Sequence, residues 1–281
     1  MSHPLLGLDL GTRTMAYDER DAILYALAVG AQATDLDLVF ERRLRVLPTF
    51  ALTLAQWAPD VLAGQGAWDV ATALHGSQRL QVLRPLPPAG EITMTARVGA
   101  VWDKGSAAIF DVEVASECFV ATWSIFAPGR GGFSGGPPAS GGVAGGGGAR
   151  GPSRLQPPEG EPDIETSLPT FANQAALYRL TGDRHLIHID PEATAAIGQP
   201  RPILHGLCTL AAATLRIAAA LGVHPADLVD LGGRFAAPVL PGQDLDLALW
   251  RTDSGLAFRA SHAGTDVLID GCARFATPER S

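Results

Sequence analysis

Asp183 and His188 stand five residues apart, directly after Gly182, in the stretch that runs from Tyr178 to Pro191. A carboxylate and an imidazole held this close can divide the proton transfers of one reaction between them. Seventeen residues beyond His188 stands His205, within the run Pro202, Ile203, Leu204, His205, Gly206 that opens a long alanine-rich helical pattern. The first turn of a helix has backbone N–H groups without intrahelical acceptors, and such a group can stabilise an oxygen as it becomes negative. Spacing alone leaves two readings open. One is an acid–base pair with an oxyanion donor; the other is a Gly–Asp turn followed by incidental histidines.

These residues need elements to hold them. In the second half, apolar or small residues recur from Leu207 at Leu210, Ala211, Thr214, Leu215, Ala218 and Leu221, the spacing of a helix face packed on a sheet, and Gly222 ends the pattern. Asp190 and Pro191 have the types of a helix N-cap and first helical position. In the first half, residues 18–32 read as a helix with acidic residues at its start and Gly30 near its end. Phe40 to Ala58 is expected to form a strand followed by apolar packing. His75 to Leu83, Glu91 to Trp102, Ala107 to Ala115 and Cys118 to Phe126 read as antiparallel strands, with Asp103, Lys104, Gly105 and Ser106 as a connecting turn. His75 falls in a strand and is expected to be structural.

The two halves repeat. The run Arg84 to Ile92 is echoed by Ala237 to Leu245, the turn at Asp103 to Ser106 by Asp253 to Leu256, and Phe126-Ala127 by Phe275-Ala276. The repeat is about half the chain, which implies duplication of one unit rather than a solenoid. Each unit is expected to be an antiparallel sheet with at least one helix against it. The expected division is an N-terminal unit at 1–127, a Gly/Pro-rich linker at 128–163 and a C-terminal unit at 164–281. The glycine-dominated run from Gly129 to Gly151 has too little apolar surface to offset its ordering entropy, and it carries no phosphate-binding glycine motif.

Composition narrows the function. A net charge of -8 argues against a general nucleic-acid binder. Cys118, Cys208 and Cys272 are widely spaced and odd in number, so neither a zinc site nor a disulfide framework is indicated. No apolar run is long enough to span a bilayer, and the ends carry neither a signal-peptide pattern nor a Ser-Lys-Leu address, so a cytoplasmic protein without nucleic-acid or membrane partners is expected. His185, His188 and Asp190 match no standard metal-ligand spacing, and no metal is expected.

With these residues in view, the chain resembles the MaoC-like group, and within it the two-repeat (R)-specific enoyl-CoA hydratases of the hydratase 2 type. Tyr178 to Pro191 is similar to that family's Tyr-Arg-Leu-Ser-Gly-Asp-x-Asn-Pro-Leu-His-x-Asp-Pro signature, and Pro202 to Thr209 to its next block. Arg20 to Ala31, Leu74 to Val82, Asp103 to Ser106, Gly131 to Gly136 and Arg234 to Gly242 also have counterparts there. The resemblance implies an α+β double hot-dog fold, two antiparallel sheets each wrapped on a central helix. It implies reversible hydration of a trans-2-enoyl-CoA to the (3R)-3-hydroxyacyl-CoA, with no cofactor, the coenzyme A thioester being the substrate. Asp183 and His188 take the catalytic positions and the Gly206 N–H the oxyanion position. A homodimer and a separate 3-hydroxyacyl-CoA dehydrogenase are the implied partners.

The amino-terminal half has no Gly-Asp block, consistent with a site built by the second half alone and an acyl pocket shaped by the first. His205 is expected only to pack at the helix entrance. One position departs from the family: His185-Leu186 replace its usual Asn-Pro, and His185 can orient substrate or water through a ring nitrogen. A non-catalytic acyl-CoA-binding protein and a hot-dog thioesterase are the alternatives of the same fold.

Overall fold

A computed structural model describes residues 3–134 and 160–276. The expectation of a glycine-rich linker falls largely on residues 135–159, outside the described part. The first half contains β1 (Asp9–Tyr17), α1 (Glu19–Ala28), α2 (Leu36–Val39), α3 (Phe50–Ala55), α4 (Trp57–Gly64), β2 (Leu74–Val82), β3 (Gly90–Asp103), β4 (Ala107–Ala115) and β5 (Phe119–Pro128). The second contains β6 (Ile164–Pro169), α5 (Gln174–Tyr178), α6 (Pro191–Ala196), α7 (Gly206–Leu221), β7 (Leu228–Phe235), β8 (Asp244–Thr252), β9 (Gly255–His262) and β10 (Thr265–Phe275).

All ten strands form one antiparallel sheet in the order β1-β3-β4-β5-β2-β7-β10-β9-β8-β6. Read outward from its centre, each strand of one half faces its counterpart in the other: β2 and β7, β5 and β10, β4 and β9, β3 and β8, β1 and β6. The duplicated units therefore share a single continuous sheet, fused where β2 pairs with β7. There Ser77 lies opposite Arg234, Leu80 opposite Leu231 and Gln81 opposite Asp230. Leu80 and Leu231 are fully buried at this seam, and the exposed Arg79–Asp230 ion pair at 3.0 Å decorates its outer side. Exposed ion pairs contribute little, so the apolar pair carries the junction.

Helices cover the inner face. α7 is continuous, ends in a left-handed Gly222 at φ 69°, and packs on β6 and β7, with Leu210 against Gly233. Its counterpart in the first half is broken: α3 and α4 are separated by Gln56 and pack on β1, β4 and β5. This corrects the strand expected within Phe40 to Ala58, where a 3₁₀ turn at Glu41–Arg43 precedes the two helices. All six residues of α3 are buried. A helix apolar on every side shows no one-faced period, and alternation within so short a run imitates a strand.

α1 begins where expected because Asp18 accepts from the Asp21 N–H while the Asp21 carboxylate accepts from the Asp18 N–H, a reciprocal cap. α1 then packs on α5 across the two halves, bringing the Tyr25 and Tyr178 rings to 5.9 Å. The Ala28 carbonyl at its end accepts from the Gln174 amide at 3.1 Å and from the Cys208 thiol at 3.6 Å. At the far end of β3, Asp103 accepts from the N–H groups of Gly105, Gly132 and Ser134 and from the Ser134 hydroxyl, which hold its carboxyl well below the usual range and tie the chain after β5 back to the sheet.

If the β2–β7 pairing is what unites the halves, Leu80→Ala loses about 2–5 kcal/mol, as truncations of buried leucines do. A fall in the urea midpoint with a single transition is the expected reading. A second transition, or no fall, would show that the halves are held together elsewhere.

Candidate active site

The signature stretch is a chain of short turns anchored at both ends. After α5, a 3₁₀ turn at Arg179–Thr181 closes with the Thr181 hydroxyl donating to the Tyr178 carbonyl at 2.7 Å. Gly182 then takes φ 151°, and a Cβ there would stand 3.1 Å from the Thr53 methyl of α3. The conformation favours glycine, and the close approach of the Thr53 methyl leaves little room for a side chain. Asp183 follows and folds back to accept the His185 N–H at 3.1 Å. A second 3₁₀ turn, Leu186–His188, delivers His188 into the interior. Asp190 caps α6 with Pro191 in its first turn, as the sequence implied, and Thr194 fastens this cap by donating to the Asp190 carbonyl at 2.6 Å.

His188 is 7% exposed, and its Nδ1 lies 2.8 Å from the Ile203 carbonyl. A carbonyl only accepts, so Nδ1 carries the proton and Nε2 keeps a free lone pair. Burial holds the His188 pKa below the ordinary histidine value of 6.5, against the opposing pull of the Ile203 carbonyl and Asp183. His188 is therefore a neutral base near pH 7. Burial alone would raise the pKa of Asp183, but His205, the His185 N–H, His188 and the Gln56 amide outweigh it and hold the carboxyl below its usual range. An ionised carboxylate and a neutral imidazole thus face one another.

The third member of this group is His205, which the sequence reading left outside it. His205 is 2% exposed, lies with Nε2 3.2 Å from the Asp183 carbonyl, and stacks on His188 with ring centroids 3.6 Å apart and planes 23° from parallel. Burial and the neighbouring His188 push its pKa down to about 3. One ligating atom from each of Asp183, His188 and His205 lies within 4.8 Å of the others. The same trio has the composition of a metal site, yet its geometry does not suit one. Ring lone pairs lie in the ring planes, and two nearly parallel imidazoles stacked face to face cannot aim theirs at one ion. Of the set considered from sequence, Asp190 is occupied with its helix cap, and the His185 and His188 rings are 6.2 Å apart.

Gly206 is the first residue of α7, where the N–H groups have no intrahelical acceptor. A Cβ on Gly206 would stand 2.9 Å from two ring carbons of Phe235, so any larger residue here would have to displace that ring. The matching helix of the first half starts with the bulky Phe50, so only the second half leaves bare backbone at its helix mouth. His185 is exposed at the rim, and its Nδ1 accepts the Ile187 N–H at 3.4 Å.

The second half does not build this site alone. Gln56, at the break between α3 and α4, presents its amide to Asp183, and its buried Oε1 has no partner among the described residues. His75 from β2 packs edge-on to Phe235 at 4.8 Å. The sequence flagged His75 only as a strand residue and gave no signal for Gln56, because both reach the site through the fusion of the halves.

Two family models match the chain in succession: "MFE-2 hydratase 2 N-terminal domain" over residues 15–126 and "MaoC like domain" over residues 154–270. The 3-hydroxyacyl-thioester dehydratase Y of Mycobacterium tuberculosis is 36% identical, over 92% of this chain and 93% of its own. The chain belongs to the MaoC-like hydratase 2 family. Another member, the peroxisomal enoyl-CoA hydratase 2 of Arabidopsis thaliana, is 33% identical over 88% of this chain and 85% of its own. Among solved structures, a MaoC-like dehydratase from Phytophthora capsici superposes with a TM-score of 0.84 at 26% identity, covering 98% of this chain and 97% of that one. A Mycobacterium tuberculosis protein described as a double hot-dog fold superposes at 0.54 with 14% identity, over 95% and 94% of the two chains, a likeness of fold alone. The fold is the double hot-dog expected from the resemblance, with its two sheets joined edge to edge.

This MaoC-like site keeps three histidines neutral: His75, whose pKa burial lowers to about 4, His188, and His205 at about 3. In the unfolded chain each takes up a proton near 6.5. Below that value the unfolded state binds more protons than the native state, so stability falls as pH drops. Urea midpoints are expected to decline steadily from neutral pH through the histidine range, and less steeply in His75→Gln. A midpoint constant over that window would contradict the neutral-histidine assignment.

Proposed function

We propose that the protein catalyses the reversible hydration of trans-2-enoyl-CoA thioesters to (3R)-3-hydroxyacyl-CoA, with Asp183 and His188 as the acid–base pair and the Gly206 N–H as oxyanion donor. The observation that carries this reading is a buried His188 whose Nδ1 is engaged by the Ile203 carbonyl, leaving Nε2 as the free lone pair, with a ring nitrogen within 4.8 Å of an Asp183 carboxylate oxygen beside the start of α7. The names of its relatives, enoyl-CoA hydratase and 3-hydroxyacyl-thioester dehydratase, support the reaction class: a hydro-lyase. The (3R) outcome rests on the resemblance to the family.

A water held between His188 and Asp183 gives a proton to His188 Nε2 as its oxygen bonds to C3 of the enoyl group. Electron density moves from the C2=C3 bond onto the thioester oxygen, where the Gly206 N–H receives it. C2 then takes a proton from the same pair, so the net change is one water added. Acid–base help of this kind supplies about 10²–10⁴-fold in rate. Losing one oxyanion donor costs roughly 3 kcal/mol in other enzymes. His185 stands at the rim, where its free ring nitrogen can orient the substrate. The chemistry calls for no cofactor beyond the coenzyme A carried by the substrate.

The division into units at 1–127 and 164–281 with a linker at 128–163 belongs to this reading, and the mirrored strand order supports it. So do a homodimeric assembly, a cytoplasmic place of work and a separate dehydrogenase that oxidises the product. No helix among the described residues is long and apolar enough to cross a membrane.

Crotonyl-CoA and a long-chain trans-2-enoyl-CoA, followed by loss of enoyl absorbance and by release of free thiol, test the assignment. Loss of enoyl absorbance without thiol release is expected, and thiol release would make the protein a thioesterase. Asp183→Ala and His188→Ala should each lower turnover by about 10²-fold or more with unchanged circular dichroism. Near-wild-type turnover in both would remove these residues from the mechanism.

A further inference from the structure

Hydration as written needs a base, a carboxylate and an oxyanion donor, and His205 is none of these. It nevertheless touches both members of the acid–base pair. Its Nε2 reaches the Asp183 carbonyl at 3.2 Å, and its ring covers the face of His188 at 3.6 Å. On its other side lies Tyr178 at 4.7 Å, followed by Tyr25 at 5.9 Å from Tyr178 and Phe50 at 5.2 Å from Tyr25. A column of rings, Phe50–Tyr25–Tyr178–His205–His188, thus runs from the buried helices of the first half to the catalytic base in the second.

A ring that only filled space here would be better as phenylalanine. The Nδ1 of His205 is buried with no hydrogen-bond partner among the described residues. A buried polar atom without a partner carries a desolvation penalty that an apolar ring avoids. The imidazole is retained despite that penalty, and what it offers beyond a phenyl ring is the Nε2–H aimed at the Asp183 carbonyl. Its face-to-face contact with His188 also requires that both rings stay uncharged, since two stacked cations repel, and burial keeps them so.

We propose that His205 is a positioning residue that fixes the spacing between Asp183 and His188, gripping the first by its backbone carbonyl and the second by its ring face. This rests on the reading of Asp183 and His188 as the acid–base pair. The residue holds the His188 ring in the plane that sends Nδ1–H to Ile203 and Nε2 towards the water. Asp183, His185 and His205 are the titratable groups that face His188; Arg179 faces His205 from the preceding turn, and Asp60 on α4 faces Asp183.

Two variants of the full chain separate the grips. His205→Phe keeps the stack and loses the N–H donor, whereas His205→Gln keeps a donor and loses the stack. Both are expected to fold, to lower kcat about tenfold to a hundredfold, and to leave KM within about threefold, because misplacing a reacting group acts on turnover more than on binding. The second readout is independent of activity. In histidine-labelled protein, the His188 ring resonances report its tautomer and titration, and these are expected to change in His205→Gln, with the acid limb of kcat/KM moving towards 6.5. Folded variants with wild-type kcat and unchanged His188 resonances would overturn the proposal and leave His205 as packing. Should His205→Phe fail to fold, His205→Gln decides alone. If the wild-type protein hydrates no enoyl-CoA, the functional reading fails, while the resonances still show whether His205 holds His188.

Discussion

The pairing of β2 with β7 is the constraint on which the rest of the structure depends. It turns two half-sheets into one ten-stranded sheet and buries Leu80 against Leu231 at the junction. Across that junction α1 lies on α5, and the Ala28 carbonyl at the end of α1 meets Gln174 and Cys208 of the other half. Those two contacts fix α5, which leads into the Asp183–His188 stretch, and the first turn of α7 to the same point. The closeness of Asp183, His188 and His205 therefore depends on how the halves join as well as on local turns.

The duplication is symmetric in architecture and asymmetric in chemistry. Helix α7 opens on glycine with a histidine before it, whereas α3 opens on Phe50 with Thr49 before it. A bulky side chain stands at the first position of α3, so a helix start with bare backbone is found in the second half and not at its counterpart. The first half contributes instead from behind. Thr53 packs on Gly182, Gln56 supports the Asp183 carboxylate, and Phe50 and Tyr25 start the ring column that ends on His188. Burial lowers the pKa of His188 and His205, while His205, the His185 N–H, His188 and the Gln56 amide together hold the Asp183 carboxyl below its usual range.

Much of this was legible in the amino-acid order. The helix from Leu207 to Gly222, the turn at Asp103 to Ser106 and the proline breaks carry their own local physics and appear as read, although α7 is buried without a break from Leu207 to Thr214 and not on one face alone. Asp183, His188 and Gly206 were legible as candidates because their types and spacing suit one reaction. What was hidden arises from tertiary contact. α3 is buried on all sides and so lost its period; His205 looked like the histidine before a helix because its partners are a carbonyl 22 residues away and a ring 17 residues away. Gln56 lies more than a hundred residues from Asp183, and nothing local marks it.

The central claim is that Asp183 and His188 add water across C2=C3 of an enoyl thioester, and oxygen isotope exchange tests it most directly. Wild-type protein, equilibrated with (3R)-3-hydroxybutyryl-CoA in ¹⁸O-labelled water, should place the label in the C3 hydroxyl by reversible dehydration, leave the (3S) isomer unlabelled and release no free coenzyme A. His188→Ala should exchange no label. Label in a free carboxylate with release of coenzyme A, or exchange that persists in His188→Ala, would contradict the account.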